Sequence, residues 1–278
     1  MNNVPGLLDG IAEPVTAVNP LTPQIGLTGV RHEYHSTNGD VLALDGIDLD
    51  IEAGEFVCIV GPSGCGKSTL LELVAGLRAP TEGRLTIAGR TIIGPSRRRG
   101  VVFQQSSSLY PWLTVRGNVE LGLRLARTPR RERRDRVDQE LARVNLTEFA
   151  SHHPYELSGG MQQRCQIARA LTNDPEVLLL DEPFGALDAM TRETLQSELR
   201  TIWQLTGRTV VFVTHSVEEA MLLATRIVVI SPRPGRITHD INVSYSRSGL
   251  GPHELRADAD FVEACHQLRL ALHEGEPS

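Results

Sequence analysis

The chain has 278 residues, of which 40% are hydrophobic and 22% charged; that is enough apolar material for one large or two modest domains, and it excludes disorder throughout. A net charge of −6 argues against a nucleic-acid partner. No apolar run approaches the roughly 18–20 residues a bilayer helix requires, and no Lys or Arg precedes Arg31 as in a secretory signal, so the expectation is a soluble, intracellular protein.

In chain order, residues 1–24 carry Pro5, Pro14, Pro20 and Pro23 among few large apolar residues and read as a flexible leader. From Ile25 to Ile51 apolar and polar residues roughly alternate, which predicts short strands with one wet face. The runs 55–60, 177–180, 210–213 and 227–230 are short and nearly continuously apolar. Strands covered on both faces look like this, as in a parallel sheet flanked by helices. Helical character marks Asn118 to Ala126 and Arg131 to Val144, the latter with Val137, Leu141 and Val144 on one face. Acidic residues interrupt the arginines at 130–136, which predicts a solvated helix face there. Residues 243–260 read as a polar linker, and Phe261, Cys265, Leu268 and Leu272 as the apolar stripe of a terminal helix. The four cysteines are widely spaced, without a metal-ligand pattern, and are expected to be plain thiols.

Gly61-Pro62-Ser63-Gly64-Cys65-Gly66-Lys67-Ser68-Thr69 lies between a predicted strand ending at Val60 and the helical run from Leu70. The glycines let successive backbone N–H groups face one anion, and the helix N-terminus adds partial positive charge. Lys67, the only lysine of the chain, is placed to reach β- and γ-phosphates, and the Ser68 hydroxyl to meet Mg²⁺. The run 177–180 ends in Asp181 and Glu182, an acidic pair beyond a strand's carboxyl end, where ligands of such sheets bind. Asp181 suits a metal ligand, and Glu182 a base for the attacking water. Together these features specify a P-loop nucleoside triphosphatase.

Leu157-Ser158-Gly159-Gly160-Met161-Gln162-Gln163-Arg164 just before the acidic strand resembles the signature of ABC transporter ATPases, and the likeness covers roughly residues 25–240. The family commonly has Gln where this chain has Met161. The resemblance implies an α/β fold: a P-loop core with a mostly parallel sheet, an antiparallel β subdomain and an inserted α-helical signature subdomain. The ATPase domain would span 25–242, its helical part about 105–172, followed by 243–278 as linker and C-terminal helix. It implies that Ser158 and Gly160 bind the γ-phosphate of ATP held by a second copy of the chain, although Ser158 also suits a simple helix cap. Tyr34 resembles the aromatic that stacks on adenine, with an ordinary strand tyrosine as the alternative. Gln104 resembles the glutamine that touches Mg²⁺, with adjacent Gln105 competing for the position. Ala186-Leu187-Asp188 resembles the loop through which two copies communicate, and Asp188 equally suits a helix N-cap. His215 resembles the switch histidine at the γ-phosphate, or a structural histidine, with Ser216 and Glu219 as a capping box after it.

By resemblance, ATP and Mg²⁺ are the cofactors, Glu182, His215 and Lys67 are catalytic, and two ATP molecules are sandwiched in a head-to-tail pair. The stretches 109–116, 188–192 and 231–237 look most like the nitrate, sulfonate and taurine importer group. That implies two permease subunits, an extracytoplasmic solute-binding protein and a peripheral position on the cytoplasmic face of the membrane. The alternative is a soluble ABC ATPase of DNA repair, ribosomes or Fe–S assembly, against which stand the single ATPase unit and the lack of a long coiled-coil insertion.

Overall fold

The computed structural model describes residues 23–273 except positions 36, 38, 105–107 and 186. The predicted leader, all but its last two residues, and the positions Gln105 and Ala186 lie outside the described residues. From the N-terminus run β1 (Ile25–Tyr34), β2 (Val41–Ile51), β3 (Phe56–Val60), α1 (Lys67–Ala75), β4 (Glu82–Ile87), β5 (Arg90–Thr91) and β6 (Arg99–Val102). Next come α2 (Val115–Leu125), α3 (Arg130–Arg143), α4 (Gly159–Leu171), β7 (Val177–Asp181) and α5 (Ala189–Thr206). The chain closes with β8 (Thr209–Thr214), α6 (Val217–Leu223), β9 (Arg226–Ile230), β10 (Ile237–Asn242), α7 (Pro252–Ala257) and α8 (Ala259–His273). Two compact units result, Met1–Pro95 with Thr209–Ser278, and Ser96–Arg208.

In the first unit β1 pairs antiparallel with β2 and β4, and β5 extends this sheet from β4. The alternation along β1 breaks at Thr28 and Gly29, both exposed, where the register shifts against both neighbours. Such a bulge re-aims the strand. Gly29 sits at φ +55°, and its N–H donates to Asp48 Oδ1 at 2.7 Å. The second sheet of this unit runs β3 parallel to β8 and β9, with β10 antiparallel to β9. Every residue of β3 and β8 is buried, as the continuous apolar runs require. Phe56, paired with Val210, and Phe212, paired with Cys58, are fully buried neighbours on these strands with ring centroids 5.9 Å apart. Burying each ring contributes about 3 kcal/mol.

Residues 243–260, expected as a polar linker, are mostly exposed but carry α7 and a few buried anchors. Ser246 is fully buried and donates to Ala224 O at 2.7 Å, and Leu255 of α7 is buried too. Pro252 opens α7, and Glu254 accepts from Gly251 N–H at 2.7 Å to cap it. Single anchors widely spaced among polar residues hold this segment, so composition alone does not show them. On α8, Phe261, Cys265 and Leu268 are buried and Leu272 is half-buried.

The second unit pairs β6 parallel with β7 and adds α2 to α5. It is wider than the helical stretch 105–172, since it takes in β6, β7 and α5. Val137, Leu141 and Val144 are buried, while Arg134 and Arg136 lie outward beside Asp138 and Glu132 at 3.7 and 2.7 Å. Asn118 of α2 is fully buried: its amide donates to the Tyr110, Leu113 and Thr114 carbonyls and accepts from Tyr110 N–H. One side chain thus replaces the missing backbone partners of the 110–114 turn. No helix among the described residues is long and apolar enough to cross a membrane.

Candidate functional site

In the first unit β3 leads directly into the Gly61–Thr69 loop and α1. Gly61 tolerates no side chain, because a Cβ would lie 2.6 Å from Ile230 O. Gly64 and Gly66 take φ of +74° and +106°, conformations that disfavour L side chains, and Gly66 is the N-cap of α1. A Cβ on Gly66 would also stand 2.9 Å from Ala43 O. The first-turn N–H groups of α1 have no carbonyl ahead of them within the helix, which is the property an anion exploits. Lys67 is buried and curls over the loop, its Nζ donating to Gly61 O and Pro62 O at 2.8 Å each. Ser63, Gly64 and Ser68 are exposed, whereas Cys65 and Thr69 are buried. Burial pushes the Cys65 thiol up.

Tyr34 is half-buried at the end of β1, and its hydroxyl lies 3.0 Å from Thr69 Oγ1, tying it to the loop. The Arg78 guanidinium lies 5.1 Å from the centre of its ring, and His32 meets the ring edge-on at 4.8 Å. Beyond β9, Arg233 donates from Nε (3.2 Å) and Nη2 (3.0 Å) to Gly64 O, a contact that sequence reasoning did not find. His215 follows β8 and is exposed. Ser216 caps α6 by accepting from Glu219 N–H at 3.3 Å. The return half of the capping box is relayed: Ser216 N–H donates to Thr214 Oγ1, whose hydroxyl donates to Glu219 Oε2 at 2.7 Å.

In the second unit Val101 and Val102 of β6 stand in register with Leu179 and Leu180 of β7. Two residues beyond the last pair lie Gln104 and Glu182, and Gln104 Nε2 donates to Glu182 Oε2 at 3.1 Å. Asp181 ends β7 and is half-buried. Glu182 takes φ +41°, an uncommon backbone state for a residue with a side chain, and its carbonyl accepts from Gly185 N–H at 3.2 Å. Arg169 of α4 anchors Ser108, donating to its carbonyl at 2.7 Å and to its Oγ at 3.2 Å.

Ser158 is exposed and caps α4, accepting from Met161 N–H at 3.3 Å. Gly160 has a structural cause of its own: a Cβ there would lie 2.4 Å from Thr191 Cγ2 in the first turn of α5. Asp188 is the N-cap of α5, its Oδ1 accepting from Thr191 N–H at 3.0 Å. Hydrogen bonds from Thr191 hold its carboxyl below the usual carboxylate range. In the second unit Asp181 and Gln104 offer a carboxylate and an amide oxygen, and in the first unit Ser68 offers a hydroxyl; each is a hard oxygen donor of the kind that Mg²⁺ takes. Because Gln104 donates through Nε2, its Oε1 is left as the acceptor end.

Residues 44–185 match the family profile described as ABC transporter. The chain is 47% identical over 227 residues to a taurine import ATP-binding protein of Roseobacter denitrificans, covering 81% of this chain and 84% of that one. It is 52% identical to an uncharacterised ABC transporter ATP-binding protein of Methanocaldococcus jannaschii over 81% of this chain and 83% of the relative. Among solved structures it resembles the ATP-binding cassette MJ0796, a dimer in a post-hydrolysis state with ADP and Pi, at TM-score 0.70 and 38% identity over 78% of this chain and 98% of the other. It also resembles cbiO1 of Clostridium perfringens, part of the cbiONQ transporter complex, at TM-score 0.72 and 27% identity over 90% of this chain and 98% of that one. Matched by the family profile over residues 44–185 and 47% identical to a taurine import ATP-binding protein over 81% of its length, this chain belongs to the ATP-binding subunits of ABC transporters and hydrolyses ATP.

Proposed function

We propose that the chain powers an importer for a small anionic or organic solute of the nitrate, sulfonate and taurine kind. The observation that carries this reading is its 47% identity, over 81% of its length, to a taurine import subunit. It would sit peripherally on the cytoplasmic face of the membrane, as two copies with two permease subunits, fed by an extracytoplasmic solute-binding protein.

In this reading the backbone N–H groups of residues 61–69 hold the ATP phosphates, and Lys67 leaves the Gly61 and Pro62 carbonyls for them. Tyr34 stacks on adenine with the ring face that Arg78 does not cover. Ser68, Asp181 and Gln104 hold Mg²⁺, which when bound neutralises charge on the phosphate oxygens. Glu182 takes a proton from the attacking water, and Lys67 and His215 stabilise charge developing on the γ-phosphate. Ser158 and Gly160 present the N-terminus of α4 to ATP held by the second copy, with Asp188 in the loop beside the shared face. ATP then favours the closed pair because those contacts exist only there.

Uptake of labelled taurine, alkanesulfonate and nitrate by cells whose native gene carries Lys67→Ala tests the proposal. Loss of ATP-driven uptake of one of these solutes supports it. Unchanged uptake of all of them contradicts the solute class.

A further inference from the structure

We propose that Arg233 is a positioning residue for the phosphate loop, holding the Gly64 carbonyl outward so that the Cys65 N–H of the same peptide unit faces the nucleotide phosphates. The proposal rests on the reading of residues 61–69 as the phosphate cradle.

Gly64 sits at φ +74° in an exposed turn, where no helix or strand fixes its peptide plane. A flip of that plane would aim a carbonyl dipole at the anion in place of an N–H. Two guanidinium donors, Nε at 3.2 Å and Nη2 at 3.0 Å, converge on this one oxygen as a forked bond that turns it towards the guanidinium. The peptide is planar and trans, so fixing the carbonyl outward fixes the next N–H in the opposite direction. The bonds are charge-assisted, which makes them stronger than neutral ones and polarises the amide so that the Cys65 N–H is a better donor.

The segment carrying Arg233 is itself tied to the cradle. Gly235 N–H donates to Ala43 O at 2.9 Å, and Asp45 N–H donates to Gly235 O at 3.0 Å. A Cβ on Gly235 would lie 2.3 Å from Cys65 O, so the two backbones meet where only glycine fits. Ser231 Oγ lies 3.0 and 3.2 Å from the Pro232 and Pro234 carbonyls and accepts from Arg236 N–H at 3.1 Å, closing the turn on which Arg233 stands. Lys67 holds the Gly61 and Pro62 carbonyls, but it is the residue expected to move onto phosphate. Arg233 holds the Gly64 carbonyl instead, a contact proposed to persist with nucleotide bound.

The test is calorimetric titration of ADP and AMP into the full chain as wild type, Arg233→Gln, Arg233→Lys and Lys67→Ala, with the Tm of each nucleotide-free protein. The expected result for Arg233→Gln is ADP binding weakened roughly tenfold, the scale of one charged hydrogen bond, with AMP affinity and Tm unchanged. Arg233→Lys, which keeps the charge but loses the fork, should remain several-fold weak. The proposal is overturned if Arg233→Gln binds ADP as the wild type does, if Arg233→Lys restores binding fully, or if Tm falls with ADP and AMP affinity lost in parallel. Failure of the cradle reading itself looks different: the wild type would not prefer ADP over AMP, and Lys67→Ala would be neutral.

Discussion

Gln104 donates a 3.1 Å hydrogen bond to the carboxylate of Glu182, joining residues 78 positions apart in the chain. The parallel register of β6 and β7 sets this distance, since each residue lies two places beyond the Val102–Leu180 pair. Glu182 holds φ +41°, a state that costs of order 1–3 kcal/mol and persists where the surroundings impose it. Its side chain is therefore aimed by the backbone turn and steadied by an amide from the neighbouring strand.

Replacing Glu182 by Gln keeps an oxygen to accept from Gln104 but removes the carboxylate proposed as the base. ATP binding should persist while hydrolysis slows by at least ~10²-fold, the usual scale for a catalytic base. Single-turnover hydrolysis with labelled ATP measures this. Near-normal turnover would remove Glu182 from the base role.

Ser158→Arg places a bulky cation at the N-terminus of α4, which the proposal presents to ATP held by the second copy. Turnover should vanish while ATP affinity of the isolated chain stays within about twofold, well inside the tenfold that 1.4 kcal/mol represents. Equilibrium binding beside steady-state ATPase separates the two effects. Weakened binding to the monomer would contradict a trans role for Ser158.

Gly61→Ala forces a Cβ to within 2.6 Å of Ile230 O and 2.9 Å of Cys65 Sγ. Overpacking of this kind costs typically about 1–3 kcal/mol. At Gly94 an added Cβ would meet nothing within 4 Å, so Gly94→Ala should stay within about 0.5 kcal/mol. Urea titrations of the two variants compare them, and equal midpoints would refute the close approach of Gly61 to β9.

Burial raises the Cys165 thiol from the ordinary 9.0 to about 12, so the folded state resists its ionisation. Its contribution to stability is complete below pH ~9 and is lost as pH rises towards ~12, at up to about 1.4 kcal/mol per pH unit. Chemical denaturation between pH 8.5 and 11 should show a shallower alkaline decline for Cys165→Ala than for the wild type, whatever cavity the substitution leaves. Parallel slopes would contradict the burial argument.

The parallel strands were legible because Phe56–Val60 and Val210–Val213 are apolar at every position, which only a doubly covered strand requires. The turn between β3 and α1 was legible because Gly64 and Gly66 answer a local backbone need for positive φ. β1 was only partly legible: its bulge at Thr28 and Gly29 breaks the alternation, and the bulge depends on Asp48 nineteen residues after Gly29. β10 alternates half-buried and exposed residues across Ile237–Asn242, with too few strong apolar side chains to signal a strand. Gly160 reads as a glycine for phosphate approach, but its contact with Thr191 is tertiary and absent from any local pattern. The hold of Arg233 on Gly64 spans 169 positions and was invisible for the same reason.

The most direct measurement is the composition of the assembly that a tagged copy brings out of gently solubilised native membranes. The account predicts a multi-spanning permease in amounts equal to this chain, with ATPase activity in the purified complex. Recovery only from the soluble fraction, with a cytosolic partner and no membrane subunit, would contradict the transporter role while leaving the ATPase site standing.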